Sequence, residues 1–375
     1  MIEDEQRVQL PRLLQKTLSG NTFLEEARLH PGKLSPTLRM QPLSTATMIL
    51  PESDPDIVMH DLVELYNQHG SCGIFRVVDI QPAYGKNRSV TLNHALDVLN
   101  DAVYPSNTEE FNGTVTAYLT KLLGAQKQKI GSTPYWQLGT VEDTGTWHQE
   151  FNYDNILDLI KEIPSEHEDY YFTFDFSVFP WRLNLIARND DVLTEFRASR
   201  NIASCKVTQS DKDQCTRLYL SITTKSTVTE GGKTAGKKST VTFEVHDDAQ
   251  GQATWGVIEK TAGIETDKVP ASEKAAWVQG YFDRHRDPNV QISISGYDLK
   301  EQTGEDIDEM HLARVCRAVL PRYNTTLLER IVEVTYPDAL GQPSKVDVSM
   351  ANKRQTTEDN IASAQKEAAK AGRGG

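Results

Sequence analysis

The run from Tyr170 to Leu185 constrains this chain more than any other segment. Phe172, Phe174 and Phe176 alternate with Thr173, Asp175 and Ser177. After Pro180 breaks the run, Trp181, Leu183 and Leu185 alternate with Arg182 and Asn184. A period of two belongs to a strand with one buried face. A slip of one residue would turn three phenylalanines into water. The segment is therefore a hairpin with one aromatic face, packed on neighbouring elements.

The elements before it are helical. Ala95 to Val103 is amphipathic, with Leu96, Leu99 and Val103 at helical steps. Residues 115–124 repeat the pattern and stop at Gly124, a C-cap candidate. Residues 154–162 make a third helix, with Asp154 as N-cap and Ile156, Leu157 and Ile160 on one face. Earlier still, the first 50 residues mix short apolar pieces with Gly, Pro and Ser, and Met48-Ile-Leu ends a strand at Pro51. Strands follow from Cys72 to Ile80 and from Ser89 to His94.

Beyond residue 190 the chain returns to β structure. Strands are expected at 201–208, 216–222, 241–245, 291–296, 328–336 and 344–350, and a helix at 270–284. Residues 223–240 (TTKSTVTEGGKTAGKKST) are almost without apolar residues and read as a long exposed loop. The segment from about 351 has no aromatic residue and reads as a mobile tail. The expected division is 1–95, β; 96–190, an α/β insert; 191–350, β, with an inserted loop and helix at about 223–285; and 351–375, the tail. The fold class is α+β and β-rich.

Composition narrows the function. The 375 residues carry 40 Lys and Arg against 53 Asp and Glu, a formal charge of -13. Duplex binding rests on neutralising phosphates with Lys and Arg, so a general nucleic-acid surface is not expected. The polar, acidic N-terminus has no apolar core of a leader segment, and no stretch reaches the roughly 18 apolar residues of a membrane span. Cys72, Cys205, Cys215 and Cys316 form no C-x-x-C pair, so free thiols are expected rather than a disulfide framework or zinc site.

Four patterns invite chemistry. Gly231-Gly-Lys-Thr-Ala-Gly-Lys237-Lys238 resembles a phosphate loop, but Lys238 stands where a Ser or Thr must hold magnesium. His69-Gly-Ser-Cys72 places a thiol near a base, yet residues three apart in a glycine turn seldom face each other. Glu166-His167-Glu168-Asp169 lacks a second ligand cluster and reads as a solvated turn. Paired carboxylates for glycoside hydrolysis are not legible in one sequence. No catalytic, cofactor-binding or metal-binding residue is assigned, and no cofactor is expected.

Several segments together resemble a known family. They are Phe174-Asp-Phe-Ser-Val-Phe-Pro-Trp181, then Arg200-Asn201-Ile202 and Cys215-Thr216-Arg217-Leu218-Tyr219. With them go Ile294-Ser-Gly-Tyr297-Asp298-Leu299, Thr303-Gly304 and Glu329-Arg330-Ile331-Val-Glu-Val-Thr-Tyr336. This set, from about residue 40 to 350, is similar to the phage tail hub family, whose members include the N-terminal region of prophage tail endopeptidases. The resemblance implies two β-barrel-like domains with an α/β insert. It implies a homotrimer whose six barrels continue the six-fold tail tube, akin to the baseplate hub of contractile tails.

The implied partners are the distal tail ring protein, the C-terminus of the tape measure protein, and tail tip or receptor-binding proteins. DNA would pass through without specific binding, along a lumen that carries much of the acidic charge, and stable membrane insertion is not expected. The implied location is the virion tail tip or baseplate, after synthesis in the host cytoplasm. Longer relatives carry a C-terminal wall-degrading domain. The chain stops about 25 residues after its last strand, so that activity is not expected here. The competing readings are a peptidoglycan-degrading hydrolase or peptidase at the tail tip, which needs a converging catalytic set, and a carbohydrate receptor-binding module, which needs an exposed aromatic cleft.

Overall fold

In the computed structural model, described residues are 8–40, 43–81, 87–167, 169–230, 233–265, 274–320 and 325–351. The chain divides into two compact units, Met1–Lys206 with Ile292–Arg354, and Val207–Gln291 with Gln355–Gly375. The expected tail, 351–375, lies outside the described residues except for Ala351.

The first unit begins with seven strands: β1 (Arg12–Ser19), β2 (Thr22–Arg28), β3 (Lys33–Arg39), β4 (Thr45–Leu50), β5 (Leu62–Asn67), β6 (Gly70–Gln81) and β7 (Arg88–His94). Three of these were unread in the first 50 residues. β1 and β2 form a hairpin in which Ser19 pairs with Thr22 across Gly20-Asn21. Gly20 sits at φ 64, the left-handed region that two-residue hairpin turns require. A register shift between Leu13 and Leu14 lets both leucines be buried, which breaks the alternation a strand search relies on.

The next region holds a 3-10 helix η1 (Ala95–Asp101), β8 (Glu110–Thr114), α1 (Val115–Gly124), β9 (Lys129–Ile130), β10 (Thr133–Pro134), β11 (Trp136–Val141), β12 (Thr146–Glu150), α2 (Ile156–Glu166), β13 (Tyr170–Asp175) and β14 (Trp181–Ala187). The helix expected from Ala95 is thus 3-10 and short, ending where Ala102 turns extended. The C-cap of α1 is Ala125, one residue beyond Gly124. The N-cap of α2 is Asn155, one residue beyond Asp154, and its Oδ1 accepts from the N–H groups of Leu157 and Asp158. Asp154 instead accepts from the N–H of Asn152.

The aromatic hairpin forms as expected. Phe172 pairs with Leu185 and Phe174 with Leu183, and β11 joins in parallel with Trp136 opposite Trp181. This three-stranded sheet and helices α1 and α2 share one core with Leu14, Leu62, Ile74 and Ala95. Residues 96–190 therefore share their core with the strands before them and belong to the same unit.

The unit closes with β15 (Val192–Arg197), β16 (Ile202–Ser210) and, after the second unit, β20 (Asn289–Tyr297), β21 (Val315–Leu320), β22 (Thr325–Thr335) and β23 (Lys345–Ala351). Those of the second unit are β17 (Arg217–Glu230), β18 (Lys233–Asp247) and β19 (Glu259–Glu265), with helices α3 (Ala249–Trp255) and α4 (Lys274–His285). A further helix, α5 (Lys300–Thr303), follows β20. The large sheet runs β16-β20-β23-β22-β3-β4-β7-β6-β5-β1-β2, with β21 pairing β22 and β15 pairing β21. Early and late strands meet where Leu38 of β3 pairs with Val334 of β22. The sheet is an open path, and among the described residues no sheet closes on itself. The two β-barrel-like domains implied by the resemblance do not stand out as closed sheets among the described residues, and strands from both ends of the chain share one sheet.

The second unit corrects another expectation. Residues 223–240 are not a loop. β17 and β18 pair from Arg217 opposite Asp247 to Glu230 opposite Lys233, with one register shift between Val228 and Thr229. Among the described residues β19 runs parallel to β17 from Arg217 to Thr223. The threonines of this stretch are β-branched and suit an extended ribbon. Apolar residues are almost absent from this stretch, and backbone pairing holds its two strands in register.

Candidate functional site

Each chemical candidate can be placed. The His69 Nε2 lies 2.8 Å from Asp298 Oδ2 and does not serve Cys72. Burial pushes the Cys72 thiol up to about 12, the opposite of an activated nucleophile. Asp298 is fully buried and also accepts from the N–H groups of Met310 at 3.0 Å and Lys300 at 3.2 Å. Burial opposes charge on His69, but the hydrogen bond to Asp298 and its negative charge outweigh it and hold His69 above its ordinary value. This ion pair fastens β6 and its turn to the segment after β20. It is structural.

Cys72 borders a cleft of about 600 Å³ lined by Phe172, Phe174, Phe176, Met40, Arg39 and His94. Gly73 makes room for it: its φ is 103, and a Cβ there would come within 2.8 Å of the Phe176 ring. His94 is the obvious base in this cleft, but burial pushes its pKa down to about 3. Its Nδ1 accepts the N–H of Leu96, and its ring packs 4.1 Å from that of Phe174. A neutral, packed imidazole and a protonated thiol are not an acid–base pair at neutral pH.

The acidic run before the hairpin ends in a turn. His167 Nδ1 hydrogen-bonds Asp143 Oδ2, while residue 168 lies outside the described residues. Among the described residues no group of three or more His, Cys, Asp or Glu side chains is placed to hold a metal. Among the described residues no helix is long and apolar enough to cross a membrane. The glycine-lysine stretch lies at the tip of the β17–β18 hairpin, and β18 follows its second glycine where a phosphate loop needs a helix. Gly231 and Gly232 themselves lie outside the described residues.

A second cleft of about 430 Å³ contains Arg76, His60 and Asp101. Arg76 is already neutralised there: its guanidinium donates to Asp101 at 2.6 Å, to Asp97 at 3.3 Å and to His60. It offers an incoming anion little.

Glu329 on β22 is a half-buried carboxyl. Burial pushes its carboxyl up to about 7. A carboxyl raised on folding favours the folded state below its unfolded value, and that contribution is lost as pH rises to about 7. Glu329→Gln is therefore expected to melt higher than the parent at pH 8 and level with it at pH 4. Thermal unfolding at the two pH values measures this, and equal differences at both would refute it.

The feature unread in the sequence is a surface. In the second unit, Leu218, Leu220, Ile222 and Ile264 face Val278 and Phe282 of α4. The opposite face presents Tyr219, Val241, Phe243 and Val245, and Phe243 is 77% exposed. Register places Tyr219 beside Val245, and Phe243 beside Ser221. The alternation in Val241-Thr-Phe-Glu-Val predicts the strand, but cannot say that its apolar set faces outward.

No protein-family model matches the chain, and no curated protein matches it in sequence. Its fold is similar to that of solved tail proteins. A prophage tail protein from Listeria monocytogenes superposes with TM-score 0.61 at 11% identity, covering 96% of this chain and 99% of that one. A tail protein from Neisseria meningitidis gives 0.61 at 10% identity, covering 92% and 96%. The 43 kDa tail protein of a Shewanella oneidensis prophage gives 0.59 at 12% identity, covering 92% and 97%.

Proposed function

We propose that this chain is a structural hub of a phage-type tail, at its distal end, with no chemistry of its own. The observation that carries the reading is fold likeness over nearly the full length of three tail proteins, in both directions. The protein would act as a homotrimer that closes the tail tube. Above it would stand the distal tail ring, with the end of the tape measure protein inside and the tip or receptor-binding apparatus below. The resemblance of the aromatic hairpin and the β22 segment to tail hubs supports this placement. So does the failure of the His69–Cys72 and His94 candidates to make a nucleophile and base.

The net charge of -13 fits a channel through which DNA slides. Carboxylates repel phosphates, and no counterions are released to favour binding. Negative-stain images of the purified protein test the reading. A three-fold particle with a central channel is expected, and a stable monomer at every concentration refutes it.

A further inference from the structure

We propose that the open edge of β13 takes up an extended, uncharged segment of another protein as an added strand, laid in the cleft beside Cys72. The proposal is independent of the hub reading.

The register of the aromatic hairpin carries it. β13 is the outer strand of its three-stranded sheet, and among the described residues no strand pairs with its other edge. Backbone groups in an antiparallel strand point alternately to its two edges. Trp181 donates its N–H to Tyr135, and Leu185 accepts from the N–H of Glu142, so the odd residues of β14 serve β11. The even residues serve β13. The N–H of Arg188 donates to Asp169, and in the same register Ile186 faces Tyr171 and Asn184 faces Thr173. Phe172 and Phe174 are left with their N–H and C=O groups turned to the open edge. Among the described residues no other backbone group bonds them. Aligned donors and acceptors on an open edge are a template for a further strand.

The cleft described above lies along this edge. Tyr171, Phe172, Thr173 and Phe174 all line it, and Met40 and Leu312 belong to its wall. With strands about 4.8 Å apart, sheets about 10 Å apart and roughly 3.3 Å per residue, one strand residue fills roughly 160 Å³. A cleft of about 600 Å³ therefore takes about four residues. That is the length of edge from Tyr171 to Phe174.

Charge selects the occupant. Arg39 and Glu64 line the cleft, and each already has partners. Arg39 donates to Glu333 at 2.6 Å, while Glu64 accepts from Arg12 at 3.0 Å and from Ser71 at 2.9 Å. A charged side chain entering beside the phenylalanines would lose water and gain no counter-charge. The occupant is therefore uncharged. The strands that end this chain's own large sheet do not qualify. β2 carries Glu25 and Glu26, β15 carries Glu195 and Arg197, and β16 carries Lys206. A different protein supplies the strand. In strand addition the main chain gives affinity and the alternate side chains give specificity.

The test uses the full chain and a blocked hexapeptide of alternating Thr and Val, labelled with fluorescein at one end. Both residues are uncharged and favour extended backbone. Fluorescence anisotropy measures binding, and a saturable rise is expected. The same peptide N-methylated at every amide keeps its side chains and loses its donors. It should bind roughly tenfold more weakly or worse, the effect of losing one or two ladder hydrogen bonds. A peptide with Glu in place of its central Val should weaken as much. In the protein, Phe172→Pro removes one outward N–H at a place where an edge strand tolerates proline. Leu312→Glu leaves the ladder intact and puts a charge in the wall. Circular dichroism checks that each variant folds, and each should bind roughly tenfold more weakly or worse. No saturable binding up to about 1 mM peptide overturns the proposal. So does equal binding of the N-methylated peptide, or binding that both variants keep. Self-association of the parent that the peptide reverses would make the occupant a second copy and overturn the assignment to another protein.

Discussion

Replacing Trp181 with Ala is expected to destabilise the first unit by about 3–5 kcal/mol. Trp181 is 1% exposed and touches aromatic rings on several sides. Phe23 stacks at 5.4 Å and Trp136 meets it edge-on at 5.3 Å, while Phe176 and Phe179 close in at 5.4 and 5.6 Å. These partners come from β2, β11 and the turn of the β13–β14 hairpin, so the indole ties three parts of the unit together. An alanine would leave a void that this many rings cannot fill without moving. The urea midpoint followed by far-UV circular dichroism measures the loss. Trp181→Phe keeps a ring in the socket and should cost less. A midpoint unchanged by the alanine would show that the cluster repacks.

The second large effect is expected at Asp298. Asp298→Ala removes the partner of His69 and the acceptor of two backbone N–H groups, all in an enclosed place. Breaking a buried pair by deleting one member costs about 3–5 kcal/mol. Its pH dependence separates the ion pair from simple packing. His69 is raised on folding, so its contribution is complete below the ordinary histidine value and fades as pH rises through the raised one. The deficit of Asp298→Asn should therefore be largest at pH 6 and smaller at pH 9. A deficit independent of pH would assign the whole effect to the backbone hydrogen bonds.

The aromatic hairpin was legible because its burial is local: every second side chain enters one core. Helix α1 was legible for the same reason, with Tyr118, Leu119 and Leu122 buried at helical steps. The β1 strand was not, because its bulge puts two adjacent leucines inside. Nor was the β17–β18 ribbon, since backbone pairing leaves no hydrophobic period in the sequence. The His69–Asp298 pair joins residues 229 apart, and no local pattern reports such a distance. At Cys72 the spacing argues against a thiol–base pair, and the nearby His69 is paired with Asp298. The outward face around Phe243 escaped because alternation gives a strand two faces without saying which is covered.

The two strands that leave for the second unit and return from it, β16 and β20, are neighbours in the large sheet. Adjacent strands lie about 5 Å apart. The 85 residues of Val207–Gln291 thus begin and end almost at one point. A short turn could span that gap, and the entropy of closing a longer excursion grows only slowly with its length. The junction is therefore a graft site. Modules of different size can be exchanged there while the register of the sheet stays as it is.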